Sequence, residues 1–334
     1  MRADLMLPRR DGMGRIHDLS SISCSQVENF GGKASNLYRL RQYGFNVPAG
    51  FVIPCSFYSE FLQESPSVGE QIENLNGAID LEDLMAVTAG FQKTLLSCEV
   101  PESIQTKISI AYRKFKENRN SNASGFAVRS SAVLEDGYQF SFAGQAESYL
   151  GANGLEEVLE SIKRVWCSAL NTRSILYLNS KDIPLSKIKM AVIVQELIPA
   201  EVSGVMFTAN VVSNNRNQML IDATYGLGGT IVSGRVIPDN YILKKDSLAI
   251  TEKKRGKKEL MIRPCISEKA GNIKEEKTPE HMQKRFAIPD EDVVRVARLG
   301  KEIERAFEYP QDIEWCMHNR GVVVLQSRPI TTLR

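Results

Sequence analysis

The order of apolar and polar positions divides the chain into a helical stretch, a run of short strands, and a closing helix and hairpin. From Ser56 to about Asn120 apolar residues recur at helical spacing, as in Leu95, Ile104, Ile108, Ala111, Tyr112 and Phe115. Gly44 to Pro54, just before it, reads as a turn followed by a short buried strand. Phe126 to Ala132 predicts a strand ending in small hydroxyl residues. Phe140 to Tyr149 predicts a second strand with its loop, set off by the turn signal Glu135-Asp136-Gly137. Glu156 to Asn179 is an amphipathic helix with the stripe Val158, Ile162, Val165, Trp166, Leu170 and Ile175. Met190 to Ile198 is a continuous apolar strand that turns polar near its end, where Pro199 breaks it. Val202 to Thr208 and Met219 to Thr224 are further strands, and Tyr225 to Thr230 is a glycine turn. Residues 246–290 read as an exposed charged insertion with a linker, and Asp290 to Phe307 as a last helix. It delivers the chain to two alternating runs between Gln311 and Ile330.

Those runs predict a hairpin closed by Asn319, Arg320 and Gly321, with the glycine left-handed. A loop of that length sets Val322 opposite His318, Glu314 opposite Gln326 and Asp312 opposite Arg328. Side chains alternate across a strand, so the last four share one face. Ile313, Trp315, Met317, Val323 and Leu325 fall on the other face, toward a core. A carboxylate and an amide oxygen are hard ligands of the kind magnesium takes beside waters and phosphate oxygens. A guanidinium forks onto phosphate. The polar face therefore suits a metal nucleotide, with Glu314 and Gln326 toward Mg2+ and Arg328 toward a phosphate. Taken alone, the same residues also describe a half-exposed hairpin with one cross-strand ion pair, Asp312 with Arg328.

Length and charge narrow the field. A chain of 334 residues is long for a single core, so two lobes are expected. With 43% hydrophobic and 25% charged residues it has the make-up of a soluble globular protein. A net charge of +2 gives no bulk attraction to nucleic acid or to a membrane surface, and neither is expected as a partner. The basic cluster Lys253 to Lys258 is flanked by Glu252 and Glu259 and reads as a solvated loop. The six cysteines form no CxxC pair, so reduced, buried thiols in a cytoplasmic protein are expected. Neither an apolar leader nor a run of membrane-spanning length is visible.

Three other stretches bear on a nucleotide. Phe30-Gly31-Gly32-Lys33 is a glycine turn opening a helix, with a lysine near the helix N-terminus. A lysine opposes the dipole there. A phosphate held jointly by the helix end and the lysine gives a reason for it, and a surface lysine beside a packing glycine is the plainer reading. Arg129 stands at the base of a loop between two strands, whose backbone amides can cover a triphosphate, and a tight hairpin with a structural arginine is the plainer reading. Gln195 to Ile198, where the apolar strand ends, can offer backbone groups to an adenine edge.

Together these stretches resemble a known family. FGGKASNL, VPAGFVI, FAVRSSAVLED, SFAGQAESY, MAVIVQELI, EVSGVMFT, GLGG with VSGRVIPD, and QDIEW with LQSRPI run in order from about Phe30 to Ile330. The chain so resembles the ATP-binding domain shared by phosphoenolpyruvate synthase, pyruvate phosphate dikinase and rifampicin phosphotransferase. The resemblance implies an α+β (α/β) ATP-grasp fold of two lobes with ATP in the cleft. It implies an extension at 1–29, an N-terminal lobe at about 30–190, and a C-terminal lobe at 191–334 carrying the metal-binding hairpin 311–330. Lys33, Arg129 and Arg328 would contact phosphates and act in catalysis. Gly144 and Ser148 would belong to a phosphate lid. Gln195, Glu196, Leu197 and Ile198 would frame the adenine, and Glu314 and Gln326 would ligate Mg2+.

The implied reaction is transfer of the β-phosphoryl of ATP to a histidine of a swivelling domain, leaving AMP, with an acceptor small molecule bound elsewhere. The histidines His17, His281 and His318 lack the family's threonine-serine-histidine context, and the chain stops just after SRPI. A stand-alone subunit or an excised domain is therefore expected, its phosphohistidine domain supplied in cis in a parent chain or in trans. Pyruvate is the default acceptor. A rifampicin-type antibiotic phosphotransferase, or a small-molecule ligase using the same relay, is the alternative, and a non-catalytic nucleotide-binding module is a second. Two departures from the family pattern are Asn210-Val211, where Asp-Pro is usual, and Gly229, where Glu is frequent.

Overall fold

A computed structural model describes residues 14–22, 27–65, 75, 81–117, 125–133, 148–181, 183–265 and 273–333. Two antiparallel sheets organise them. The first is built from β1 (His17–Asp18), β2 (Gly50–Ile53), β3 (Phe126–Ala132), β4 (Ser148–Ala152) and β5 (Met190–Glu196), in the order β1-β2-β5-β3-β4. The expected helical region resolves into α2 (Cys55–Gln63), α3 (Leu81–Ser97) and α4 (Glu102–Glu117). The stretch expected as one helix at 156–179 is two, α5 (Gly154–Ser168) and α6 (Thr172–Ser180). Asn171 breaks it by capping the second, its side chain accepting from the Ser174 amide at 2.8 Å.

These helices cover one face of the first sheet. Met190, Val192 and Val194 of β5 point into them, with Trp166, Phe57 and Phe61 among the buried partners. Ala191 and Ile193 point the other way, toward α1 (Val27–Gln42). A strand covered on both faces has no polar side to alternate with, which explains its unbroken apolar run. This strand, expected to open the second lobe, is the middle strand of the first sheet.

The second sheet has the order β13-β12-β6-β7-β8-β9. Its strands are β6 (Val202–Phe207), β7 (Gln218–Tyr225), β8 (Asp239–Lys244), β9 (Ile250–Lys254), β12 (Gln311–His318) and β13 (Gly321–Pro329), and the short helix α7 (Gly229–Val232) lies between β7 and β8 in the chain. Helix α9 (Asp290–Phe307) packs beneath it, over the span expected from the sequence. One apolar core joins α1, α9 and the undersides of both sheets, including Phe30, Leu37, Met206, Ile221, Val296 and Trp315. Gly204 makes room for Trp315, since a Cβ there would lie 2.5 Å from the indole ring.

Residues 246–290 are not the irregular insertion expected from their charge. They form β9, the hairpin of β10 (Leu260–Pro264) and β11 (Ile273–Lys277), and the short helix α8 (Glu280–Gln283). Nor is Lys258 solvated. Its side chain is completely buried, and its ammonium donates to Asp239 Oδ1 at 2.5 Å and to the Gly256 carbonyl at 2.9 Å. Asp239 also accepts from the amides of Gly256 at 2.9 Å and Ala287 at 2.6 Å. The basic loop is thus stapled between the start of β8 and the approach to α9.

Candidate functional site

The hairpin of β12 and β13 reaches the expected pairing by a different route. Its turn is two residues long, with Asn319 and Arg320 both left-handed at φ 50° and 61°, and His318 pairs with Gly321. That shortens the loop by one residue. A bulge at Leu325 restores the count, so Trp315 faces Val324 but Glu314 faces Gln326 and Asp312 faces Arg328. The four polar residues therefore align as expected, while two apolar assignments are corrected. Val324, with Val322 at its margin, packs beside Ile313, Trp315 and Met317. Val323 and Leu325 instead join Cys316 on the opposite face. Burial pushes the Cys316 thiol up to about 12, which keeps it neutral.

Arg129 crosses from β3 to this hairpin. Its Nη2 donates to Glu314 Oε2 at 2.7 Å and to Gln326 Oε1 at 2.9 Å, and its Nη1 donates to the carbonyl of the bulge residue Leu325 at 2.6 Å. One guanidinium thus holds a carboxylate, an amide oxygen and a backbone carbonyl, two strands and both sheets at once. Arg328 lies beside this group and forks onto Asp312, with Nε and Nη2 at 2.8 and 2.7 Å from Oδ2. Burial raises the Asp312 carboxyl, and Arg328 opposes that rise. The ion pair of the plainer reading is therefore present, next to the Glu314–Gln326 pair on the same face.

Lys33 arrives on α1, which packs against both β3 and β13. The chain turns at Gly31, left-handed at φ 76°, where a Cβ would lie 2.2 Å from the Ser131 carbonyl. Ser131 clips the turn from both sides, accepting from the Ala34 amide at 3.1 Å and donating to the Phe30 carbonyl at 2.6 Å. Lys33 is buried, and one turn further on Asn36 donates to the Ser327 carbonyl between Gln326 and Arg328. Asn36 and Ser131 were not singled out from the sequence. Their small polar side chains match any turn or helix, and only the docking of α1 reveals their use.

The other expected residues that the structure describes lie on β4, on β5 and in the segment that follows β5. Ser148 is exposed on β4 directly across from Arg129. Gly144 is outside the described residues. Gln195 is buried, and its amide donates to the Pro48 carbonyl at 3.2 Å. The Glu196 and Leu197 amides bond the carbonyls of Ala49 and Gly125 at 2.9 and 3.0 Å. Leu197 and Ile198 pack with Ala127, Leu227, Ile262 and Cys316 in an apolar layer between the sheets. Asn210 orders its own loop, its Oδ1 accepting from the amides of Val212 and Ser213, both at 3.1 Å. An asparagine thus makes the local turn that an aspartate could make. A surface groove of about 980 Å3 between β4 and α5 includes Tyr149, Glu160 and Arg164 but none of the nucleotide candidates.

The donor set fits a hard cation. Glu314 Oε2 and Gln326 Oε1 both approach a single nitrogen, so the two oxygens converge on one region. Two protein oxygens with places left for water and phosphate match magnesium's habits.

Comparison with known proteins shows the family to which the chain belongs. Residues 27–334 match the family model described as pyruvate phosphate dikinase, AMP/ATP-binding domain. A probable phosphoenolpyruvate synthase of Methanothermobacter thermautotrophicus is 38% identical over 306 residues, covering 91% of this chain and 44% of the relative. The phosphoenolpyruvate synthase of Pyrococcus furiosus is 33% identical over 353 residues, covering 94% of this chain and 43% of the relative. A rifampicin phosphotransferase of Streptomyces sviceus is 36% identical over 324 residues, covering 95% and 36% respectively. The chain thus spans less than half the length of these relatives.

Proposed function

The chain belongs to the pyruvate phosphate dikinase AMP/ATP-binding domain family, and from that premise we propose that it is the ATP-binding component of a phosphoenolpyruvate synthase-like phosphotransferase, working in the cytoplasm. Its two sheets act as the lobes of an ATP-grasp cleft. The adenine sits against the apolar layer near Leu197 and Ile198, framed by the backbone of Gln195 to Ile198. The phosphates run toward Arg129, Lys33 and Arg328, under a lid to which Gly144 and Ser148 belong. Glu314 and Gln326 would hold Mg2+, which when bound neutralises charge on the phosphoryl oxygens.

Phosphoryl transfer needs positioning and charge balance more than covalent help from the protein. Lys33 and Arg129 supply positive charge from one lobe and Arg328 from the other. A histidine nitrogen on a swivelling domain, in cis or in trans, attacks the β-phosphorus. The bond from that phosphorus to the oxygen it shares with AMP breaks, and AMP leaves. The terminal phosphoryl passes to water or phosphate. The histidine then hands its phosphoryl to a small molecule bound elsewhere. The relatives named phosphoenolpyruvate synthase favour pyruvate as that acceptor, and the one named rifampicin phosphotransferase makes an antibiotic hydroxyl the alternative.

One observation carries this reading: Arg129 of the first sheet holds both intended metal ligands of the second. The test is incubation with β-labelled ATP, Mg2+ and candidate phosphohistidine-domain partners. AMP and a labelled partner histidine are expected. Glu314→Gln keeps an acceptor for Arg129 and should fold normally by circular dichroism, yet lose transfer by about a hundredfold or more. No AMP and no label with any partner would overturn the proposal. Unfolding of the variant would instead favour a purely structural hairpin.

A further inference from the structure

The residue expected on the phosphates is engaged with the residues expected on the metal. Arg129 is nine-tenths buried, at 9% exposure, and its Nη2 bonds the two oxygens that would coordinate magnesium. Its Nη1 bonds the Leu325 carbonyl beside them. Both carboxylates of the polar face already have a cationic partner. The guanidinium matches Glu314, and Arg328 matches Asp312. A divalent cation placed beside that guanidinium would set three positive charges against the single carboxylate of Glu314, in surroundings where like charges are poorly screened. A polyphosphate changes this balance. It carries the negative charge that a cation needs, and it offers the guanidinium a forked partner of the kind it binds best.

We propose that Arg129 is the resident cation of the metal site, so that the divalent ion enters only with, or after, a polyphosphate that draws the guanidinium away from Glu314 and Gln326. The inference rests on the nucleotide reading above and adds an order to it. The bulge at Leu325 belongs to the device, because it turns a backbone carbonyl toward Nη1 and gives the guanidinium a third acceptor. The same contact ties the two sheets together, so exchange of partners by Arg129 also releases one link across the cleft.

The experiment uses Mn2+ as the probe, followed by electron paramagnetic resonance, on the full chain. Nucleotide binding is measured first, with a fluorescent, non-hydrolysable ATP analogue in the absence of metal. Failure of that step would sink the nucleotide reading itself. Mn2+ is then titrated into nucleotide-free protein. The wild type should bind Mn2+ about tenfold or more weakly than Arg129→Gln, and the gain should vanish in Arg129→Gln with Glu314→Gln. Adding the analogue to the wild type should produce the protein-bound Mn2+ signal. Equal Mn2+ binding by nucleotide-free wild type and Arg129→Gln overturns the inference while leaving nucleotide binding intact. Should the variant not fold, the wild type alone decides. Stoichiometric Mn2+ before any nucleotide is added overturns the inference, and Mn2+ bound only after it supports the inference.

Discussion

At the scale of single residues, the chemistry of the site is set by a few short contacts, and a half-buried acid two strands from Glu314 gives a pH signature. Asp222, on β7, has its carboxyl raised above the usual 3.8 by burial, opposed by a 2.7 Å hydrogen bond from Asn240. A carboxyl raised in the folded state holds its proton more tightly there than in the unfolded chain. It therefore favours folding at low pH, and that advantage is lost as pH rises from the unfolded value through the folded one. Urea unfolding at a series of pH values should show a decline in stability beginning near about pH 4 that is shallower in Asp222→Asn than in the wild type. The alignment of Glu314, Gln326 and Arg328 on one face of the hairpin was legible in the sequence because strand alternation sets it. Asn36 was not. It bonds the Ser327 carbonyl 291 positions away, and no local pattern encodes that meeting.

At the scale of elements, the closing hairpin shows how a right register follows from a wrong turn. Alternation along β12 and β13 was enough to pair Glu314 with Gln326. It could not distinguish a longer loop from a short loop with a compensating bulge, because both give the same pairing beyond Leu325. The difference shows only between turn and bulge, where Val323 and Val324 exchange faces. The turn itself carries strain that the longer loop would have placed on Gly321. Arg320 sits at φ 61°, a conformation that glycine adopts freely and L side chains do not. Arg320→Gly should stabilise the protein by about 0.5–1 kcal/mol in urea unfolding, with its carbonyl still free to accept from Arg295. The strands β9 and β11 escaped notice for another reason. Their side chains are mostly exposed and charged, so no apolar alternation announces them.

At the scale of the whole molecule, two sheets share one core through α1, and the second is fastened by a buried ion pair. Lys258 and Asp239 have no exposed side-chain surface, so removing one partner strands the other. Lys258→Met should cost about 3–5 kcal/mol, read as a lower urea midpoint, and adding Asp239→Asn should recover much of that loss. The mixture of helices and short strands was legible from the apolar patterning. The pair was not, because the cluster around Lys258 looks like any hydrated basic loop.

The outer margin of the second sheet depends on the segment that leads into β2. β13 is the terminal strand of its sheet, and Asn46 covers it, its carbonyl accepting from the Val324 amide at 2.8 Å and its side chain donating to the Val322 carbonyl at 3.3 Å. A fragment containing only the second sheet would expose that row of amides and carbonyls next to a run of valines, an invitation to strand-by-strand self-association. The part carrying the second sheet is therefore a poor candidate for separate expression, since a cut ahead of it would leave an adhesive border where Asn46 had been.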